Sequence, residues 1–381
     1  MTKGGERMRA AIAALVLVFF TLMIAEKLRA VRSRRALSHV VHVNGTRGKS
    51  TVARLIDAGL RVGGLRVFTK TTGTDPVTIG VDNVERAVRR IGPPNIREQL
   101  RVLNRAAREG AEVLVVECMA VDPTLQRASQ RDMLRADIGV ITNVRRDHED
   151  AMGNVPEEIC DALSNTIPRD GVLLTAERGL AARLRDNCTS QGCRFVQALP
   201  RGDEPDFEFS ENLSLALAVC EELGVARETA LDGMRRFRPD PYALCAYRWG
   251  EGIFINGFSA NDPASIRLSY ERMRAALNLG DGVPTLLVNN RADRGRRTLD
   301  MLALACDMRP PRALVAGASR GFFAQRLKRA LPGADIETLH STREVESYRP
   351  RAGEVVYAIG NLAGFGRGAV AAAAKEGERI V

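Results

Sequence analysis

Charged and polar residues recur every few positions along most of the chain, but residues 10–25 (AAIAALVLVFFTLMIA) carry no charge. As a helix rising about 1.5 Å per residue, this run covers roughly 24 Å, a little less than a hydrocarbon core of about 30 Å. The stems of Arg9, Lys27 and Arg29 can extend along lipid and leave their charges among the headgroups. The pattern predicts a membrane anchor. A cleaved export signal is the nearest rival, but Met23 stands in Met23-Ile24-Ala25 where a small-x-small cleavage site needs a small residue. The plainer alternative is a helix buried in a core. Lys3, Arg7 and Arg9 precede the run, and Lys27, Arg29, Arg32, Arg34 and Arg35 follow it. The denser cluster stays inside, which predicts a single-pass protein of the cell membrane with its remaining chain in the cytoplasm. Those five cations also suit an anionic inner leaflet.

Beyond residue 36, short apolar runs alternate with helical patterns, predicting an α/β fold with a mostly parallel sheet. Residues 39–43 (HVVHV) read as a strand, followed by Asn44-Gly45-Thr46-Arg47-Gly48-Lys49-Ser50-Thr51 and a helical run over 52–60. Strand, glycine loop and helix in that order make an anion site. Backbone N–H groups converge on phosphate oxygens, and the helix start adds partial positive charge. Lys49 would offset the charge of a β/γ-phosphate and the Ser50 hydroxyl would ligate Mg²⁺. The longer pattern G-x-x-x-x-G-K-[ST] fails because Val43 stands at its first glycine, so the match is to the shorter G-T-x-G-K-[ST]. A structural turn is the plain alternative. Lysine is scarce in this chain (3, 27, 49, 70, 328 and 375), which argues against Lys49 as filler.

Two later segments answer the loop. Val113–Glu117 is a buried-type strand ending in a carboxylate, suited to a metal ion at the carboxyl edge of a parallel sheet. Ile138–Ile141 leads into Thr142-Asn143-Val144-Arg145-Arg146-Asp147-His148-Glu149-Asp150. There His148, flanked by acids, can ligate a second Mg²⁺ or orient a metal-bound water. Taken singly, Glu117 and His148 read as structural; with the loop they become a site.

Composition changes this picture only at the edges. The chain has 381 residues, 45% hydrophobic and 27% charged, which excludes wholesale disorder and predicts two to three domains. Seven cysteines without a repeating spacing fit reduced thiols, and Cys188 and Cys193 lack the partner pair a zinc site needs. Lys+Arg minus Asp+Glu is 56 − 46 = +10, which favours anionic partners. With aromatics at 5% and no stacking surface beside the basic runs, nucleic acid is not among the expected partners.

The G-T-x-G-K-S-T loop, the strand ending in Glu117 and T-N-V-x-x-D-H-x-D, in this order, resemble the Mur ligase superfamily. Residues 212–218 (NLSLALA) look like that family's helix near the adenine, with Asn212 as its asparagine. Residues 256–263 (NGFSANDP) resemble the opening of its C-terminal domain, with Asn261 before Asp262-Pro263. Within the superfamily the likeness is nearest to the membrane-bound ligase subunits of poly-γ-glutamate (capsule) synthases, on the anchor, HVNGTRGKST, FSAND-Pro263 and Asn289-Asn290-Arg291-Ala292-Asp293-Arg294. The resemblance covers roughly residues 36–370. It implies an anchor at 1–35, a central ATP-binding domain at 36–240 and a smaller Rossmann-like domain at 241–381 closing over ATP.

The same resemblance implies ATP and Mg²⁺ as cofactors and an ATP-dependent carboxylate–amine ligase. Glutamate would be joined to an anionic poly-γ-glutamate chain through an acyl phosphate, alongside integral-membrane subunits of a synthase and export complex. Lys49, Glu117 and His148 would be catalytic, and Ser50, Glu117 and His148 would hold the metal. Gly45, Thr46, Arg47, Gly48, Thr51, Asn143, Asn212 and Asn261 would shape the nucleotide site. The arginines of 291–297 would bind carboxylates, the alternative being a solvated loop. Two departures stand out: residues 157–167 contain no lysine to be carbamoylated, and Asn256 stands where the peptidoglycan ligases have Asp. The rival readings are a folate-polyglutamylating ligase of the same fold and a membrane-tethered ATPase that drives export without ligation.

Overall fold

Valine- and leucine-rich runs bounded by turns become the strands of two sheets, one in each of the two units (residues 1–238 and 239–381) into which the chain divides. The structure, a computed structural model, describes every residue except 1, 2, 74, 91, 261, 293 and 294, with side chains of the first helix described from residue 11 onward. Asn261, expected at the nucleotide site, therefore lies outside the described residues, as do Asp293 and Arg294.

The first sheet takes β1 (His39–Asn44), β2 (Val67–Lys70), β3 (Val77–Ile79), β4 (Glu85–Ala87), β5 (Val113–Glu117), β6 (Ile138–Ile141), β7 (Val172–Thr175) and β8 (Arg194–Gln197). Their order is β4-β3-β2-β5-β1-β6-β7-β8, parallel except for the pairings of β3. Both faces are covered. Val41, Val43 and Val115 pack under helix α2 (Lys49–Val62) and helix Ser210–Glu222, through Leu55, Ile56 and Leu215. Val40, Phe68, Leu114 and Val116 pack under helix α3 (Glu98–Arg108), through Leu103 and Ala106. A sheet buried on two faces favours apolar residues at successive positions, which is why β5 is apolar up to its closing Glu117 and β1 sets Val40, Val41 and Val43 around a hydrogen-bonded His42.

Helix α1 (Lys3–Ala36) has an apolar stretch long enough to cross a membrane, and none of it is buried within the protein. Its last turns behave differently from the anchor expected over 1–35. Ala30 and Leu37 join the core under α3, Ser33 Oγ donates to Asn104 Oδ1 at 2.7 Å, and Glu26 pairs with Arg97 at 2.7 Å. Arg34 pairs with Asp137. The foot of the helix is thus part of the first unit, because its small and polar residues find partners there while residues 12–24 are exposed.

The second unit carries β9 (Cys245–Trp249), β10 (Gly252–Asn256), β11 (Thr285–Asn290), β12 (Arg312–Gly317), β13 (Asp335–Thr338), β14 (Val355–Gly360) and β15 (Glu378–Arg379), in the order β13-β12-β11-β14-β10-β9-β15. The five strands from β13 to β10 are parallel; β9 and β15 run antiparallel. The interior strands β12, β11, β14 and β10 are built on apolar stretches such as LLV in β11 and ALVA in β12. Strands β4 (ERA) and β13 (DIET) were not legible, since short polar edge strands are defined by pairing rather than hydrophobicity.

His42 on β1 is fully buried, with Nδ1 2.9 Å from Gln130 Oε1, and burial holds its pKa down to about 4 against the hydrogen bond to Gln130. The unfolded chain protonates this imidazole near its ordinary 6.5 while the folded one does not, so between those values the unfolded state binds more protons. The expected result is stability that is complete above the unfolded pKa and falls as pH drops towards about 4, by on the order of 3 kcal/mol. Denaturation midpoints measured across that window check it; His42→Asn should remove most of the slope, and an unchanged slope counts against His42 as its source.

Candidate active site

The register of the sheet assembles the site. Val43 pairs with Glu117 and Asn44 with Ile141, so the loop after β1 lies between the ends of β5 and β6. Gly45 has φ 125°, and a Cβ there would stand 2.1 Å from Thr142 Oγ1 and 2.8 Å from the Thr142 backbone nitrogen. Gly48, with φ 80°, is the N-cap of α2, and a Cβ on it would meet Asn212 Oδ1 at 2.7 Å. Both turns therefore need glycine twice over, for conformation and for room.

Strand end and loop are laced together. Thr46 Oγ1 donates to Asn143 Oδ1 at 2.7 Å, and the Arg47 N–H donates to the same oxygen at 3.1 Å. Asn143 Nδ2 and Thr142 Oγ1 both donate to the Arg47 carbonyl, at 3.1 and 2.6 Å. The Thr46 N–H donates to the Asn143 carbonyl at 3.1 Å. Asn143, anticipated beside the nucleotide, thus spends its side chain holding the loop. At the start of α2, no side chain caps the helix, and the N–H groups of Lys49, Ser50 and Thr51 lie in its first turn, where no intrahelical acceptor reaches them. Those amides stand at the positive end of a 14-residue helix, an arrangement with the donors an anion needs.

Side chains complete it. Lys49 Nζ donates to the Gly45 carbonyl at 2.7 Å, which centres its charge on the loop. Ser50 Oγ donates to Glu117 Oε2 at 2.7 Å, and the Thr72 N–H donates to the same oxygen at 2.6 Å. Glu117 is almost fully buried. His148 sits at φ 48°, as N-cap of the short helix Glu149–Met152, with Nε2 3.8 Å from Asp147 Oδ2. That carboxylate takes Arg47 NH1 at 2.6 Å. The structure therefore places Ser50 directly on Glu117, and His148 one ion pair away from loop residue Arg47. Among the described residues no three His, Cys, Asp or Glu side chains gather at metal-binding separation. The expected set contains only two such groups plus a hydroxyl, and Mg²⁺ commonly takes few protein ligands, filling its shell with water and phosphate.

Asn212 stands against Gly48 and donates through Nδ2 to Glu208 Oε1 at 3.3 Å. In the second unit, Asn256 is buried and donates to the carbonyls of Tyr242 and Ala243 at 3.2 and 3.0 Å, where it ties the chain before β9 to the end of β10. Sequence reading missed the parts played by Thr142, Asp147 and Thr72, and it missed Lys70. Lys70 is wholly buried at the end of β2, 2.9 Å from Glu98 Oε1, and Glu98 in turn takes Arg90 at 2.8 Å. Burial pushes the Lys70 amine below its ordinary pKa, partly offset by Glu98. Burial also acts to raise the Glu98 carboxyl, but hydrogen bonds from Arg90 and Lys70 outweigh it and hold it low. The one available signal was a lysine ending an apolar run (VFTK).

A glycine-hinged loop backed by a lysine and a buried carboxylate, in the first of two α/β units, is the arrangement of a Mur-type, ATP-dependent amide ligase. Residues 43–198 match the Mur ligase middle domain, and residues 245–376 match the poly-gamma-glutamate synthase CapB C-terminal domain. The capsule biosynthesis protein CapB of Bacillus anthracis is 35% identical over 346 residues, covering 85% of this chain and 74% of that protein. The PGA synthase CapB of Bacillus subtilis (strain 168) is 37% identical over 294 residues, 74% of this chain and 75% of that one. A bifunctional folylpolyglutamate synthase/dihydrofolate synthase solved with Mn, AMPPNP and L-glutamate bound shares the fold, with TM-score 0.65 at 17% identity over 93% of this chain and 92% of that chain. The chain belongs to the CapB family of poly-γ-glutamate synthases. Its function is ATP-dependent ligation of poly-γ-glutamate.

Proposed function

We propose that the loop at 45–51 binds the polyphosphate of ATP and that the γ-phosphoryl group passes to a glutamate side-chain carboxylate, releasing ADP. The amine of a second glutamate then attacks the acyl carbon, phosphate leaves with the C–O bond electrons, and a proton is lost from nitrogen, leaving an amide. Both partners of the first step are anions, so the task of the protein is to offset repulsion between them. Lys49 and the first-turn amides of α2 supply fixed positive charge, while Thr46, Arg47 and Asn143 keep those amides aimed. Ser50, Glu117 and His148 would hold Mg²⁺, for which the all-oxygen Ser50–Glu117 pair is a suitable hard donor set. When bound, the ion adds positive charge at the phosphate oxygens. Asn212 and Asn261 would line the nucleotide, and the arginines of 291–297 would take carboxylates of the growing chain.

The observation that carries this reading is the hydroxyl–carboxylate contact, Ser50 on Glu117, at the mouth of an uncapped phosphate loop. Purified protein with ATP, Mg²⁺ and glutamate, supplemented with membranes where needed, should release ADP and phosphate in step with new amide bonds. AMP as product would replace the acyl phosphate with an adenylate. ATP turnover indifferent to glutamate would favour an export ATPase.

Helix α1 would cross the membrane once, with both units on the cytoplasmic side, where integral-membrane partners can receive the polymer. Since the foot of α1 belongs to the first unit, the informative truncation ends at residue 25. Removing residues 1–25 should move the protein from the membrane to the soluble fraction with ATP binding retained, and a truncated chain still sedimenting with membranes would place the anchor elsewhere.

A further inference from the structure

At the foot of α1 lies a cavity of about 400 Å³ whose walls include Glu26, Arg90, Arg97, Glu98 and Arg101. Glu26 is the first charged residue after the apolar run, so the cavity stands at the depth where a membrane-crossing α1 would leave the hydrocarbon. Leu22 and Met23, one turn above Glu26 on the same face, are exposed. Three arginines face two glutamates there, and the pairings leave donors over. Arg97 uses NH2 on Glu26, Arg90 uses Nε and NH2 on Glu98, and Arg101 has no side-chain partner among the described residues.

We propose that this cavity binds the phosphate of an anionic phospholipid, with the acyl chains lying along the Leu22–Met23 face of α1. The proposal rests on α1 crossing the membrane. Planar guanidinium groups match the two non-bridging oxygens of a phosphodiester, and basic pockets beside a membrane helix on the cytoplasmic side suit such headgroups. A polymer carboxylate has the same charge, but nothing in it uses the apolar strip directly above the arginines. The lipid answers both features, and it would set the height and tilt of the first unit, since Glu26 and Arg97 also clamp α1 to α3.

The test is native mass spectrometry of the full chain released from nanodiscs of phosphatidylcholine and phosphatidylglycerol in equal parts. Phosphatidylglycerol should be retained in preference to phosphatidylcholine, and Arg101→Gln, which breaks no native pair, should reduce that preference by roughly fivefold. Arg32→Gln with Arg35→Gln, exposed cations away from the cavity, should leave it nearly unchanged. Equal retention of the two lipids, or a loss in R101Q no larger than in the R32Q/R35Q control, overturns the proposal. So does displacement of the bound lipid by soluble poly-γ-glutamate, which would assign the cavity to the polymer. A chain that does not enter nanodiscs at all removes the membrane-crossing reading itself, and is told apart from the other outcomes by the empty discs.

Discussion

Lys49→Ala is expected to reduce glutamate-dependent ADP release by on the order of a thousandfold or more while leaving the fold intact. Its ammonium is bonded to the Gly45 carbonyl at 2.7 Å, not to a partner in the core, so removal leaves no buried charge uncompensated. What disappears is the ammonium beside the first-turn amides of α2, and the loop's other full cation, Arg47, is already tied to Asp147 at 2.6 Å. When two anions must approach, a full charge matters most in the transition state, where negative charge spreads over the transferring oxygens. The loss should therefore fall on turnover more than on thermal stability. A variant with normal turnover would remove the nucleotide site from this loop, and one that fails to fold would show that Lys49 braces the turn instead.

Glu117→Gln should raise the Mg²⁺ concentration needed for half-maximal activity by about 10- to 100-fold. The substitution keeps shape and an acceptor for the Thr72 N–H, and so isolates the charge. Ser50→Ala should act in the same direction. Because Ser50 Oγ and Glu117 Oε2 are 2.7 Å apart, the double variant should lose less than the sum of the two single effects. Additive losses, or Mg²⁺ curves that superimpose on the unmodified protein, would mean that the pair is a structural hydrogen bond. The same titration on His148→Ala decides whether the imidazole, held near Arg47 through Asp147, belongs to the metal or only to the loop.

Much of this arrangement is legible along the chain. The loop glycines, Lys49 and Ser50 are contiguous, and their chemistry follows from strand, turn and helix being local events. Glu117 closes β5 and His148 follows β6 by seven residues, and hydrophobic runs announce both strands. The unlettered part lies in what side chains do across the sheet. Asn143 bracing the loop, Thr72 sharing the oxygen of Glu117, and Lys70 buried against Glu98 all join residues tens of positions apart. Their types alone would suit a solvent-facing turn or a surface lysine.

The N-terminal helix shows the same division. Residues 10–25 carry no charge, and that alone determines that they need an apolar surrounding, as the glycines at 45 and 48 determine where the chain can turn with no side chain in the way. Whether the basic residues that follow are a loose tether or part of a wall was decided only when α1 met α3, and Glu26 found Arg97 across a gap of 71 positions. Periodicity and glycine conformation are local energies, written where they act. Ion pairs and burial depend on which distant segments the parallel sheet brings to one edge, and that is settled by packing.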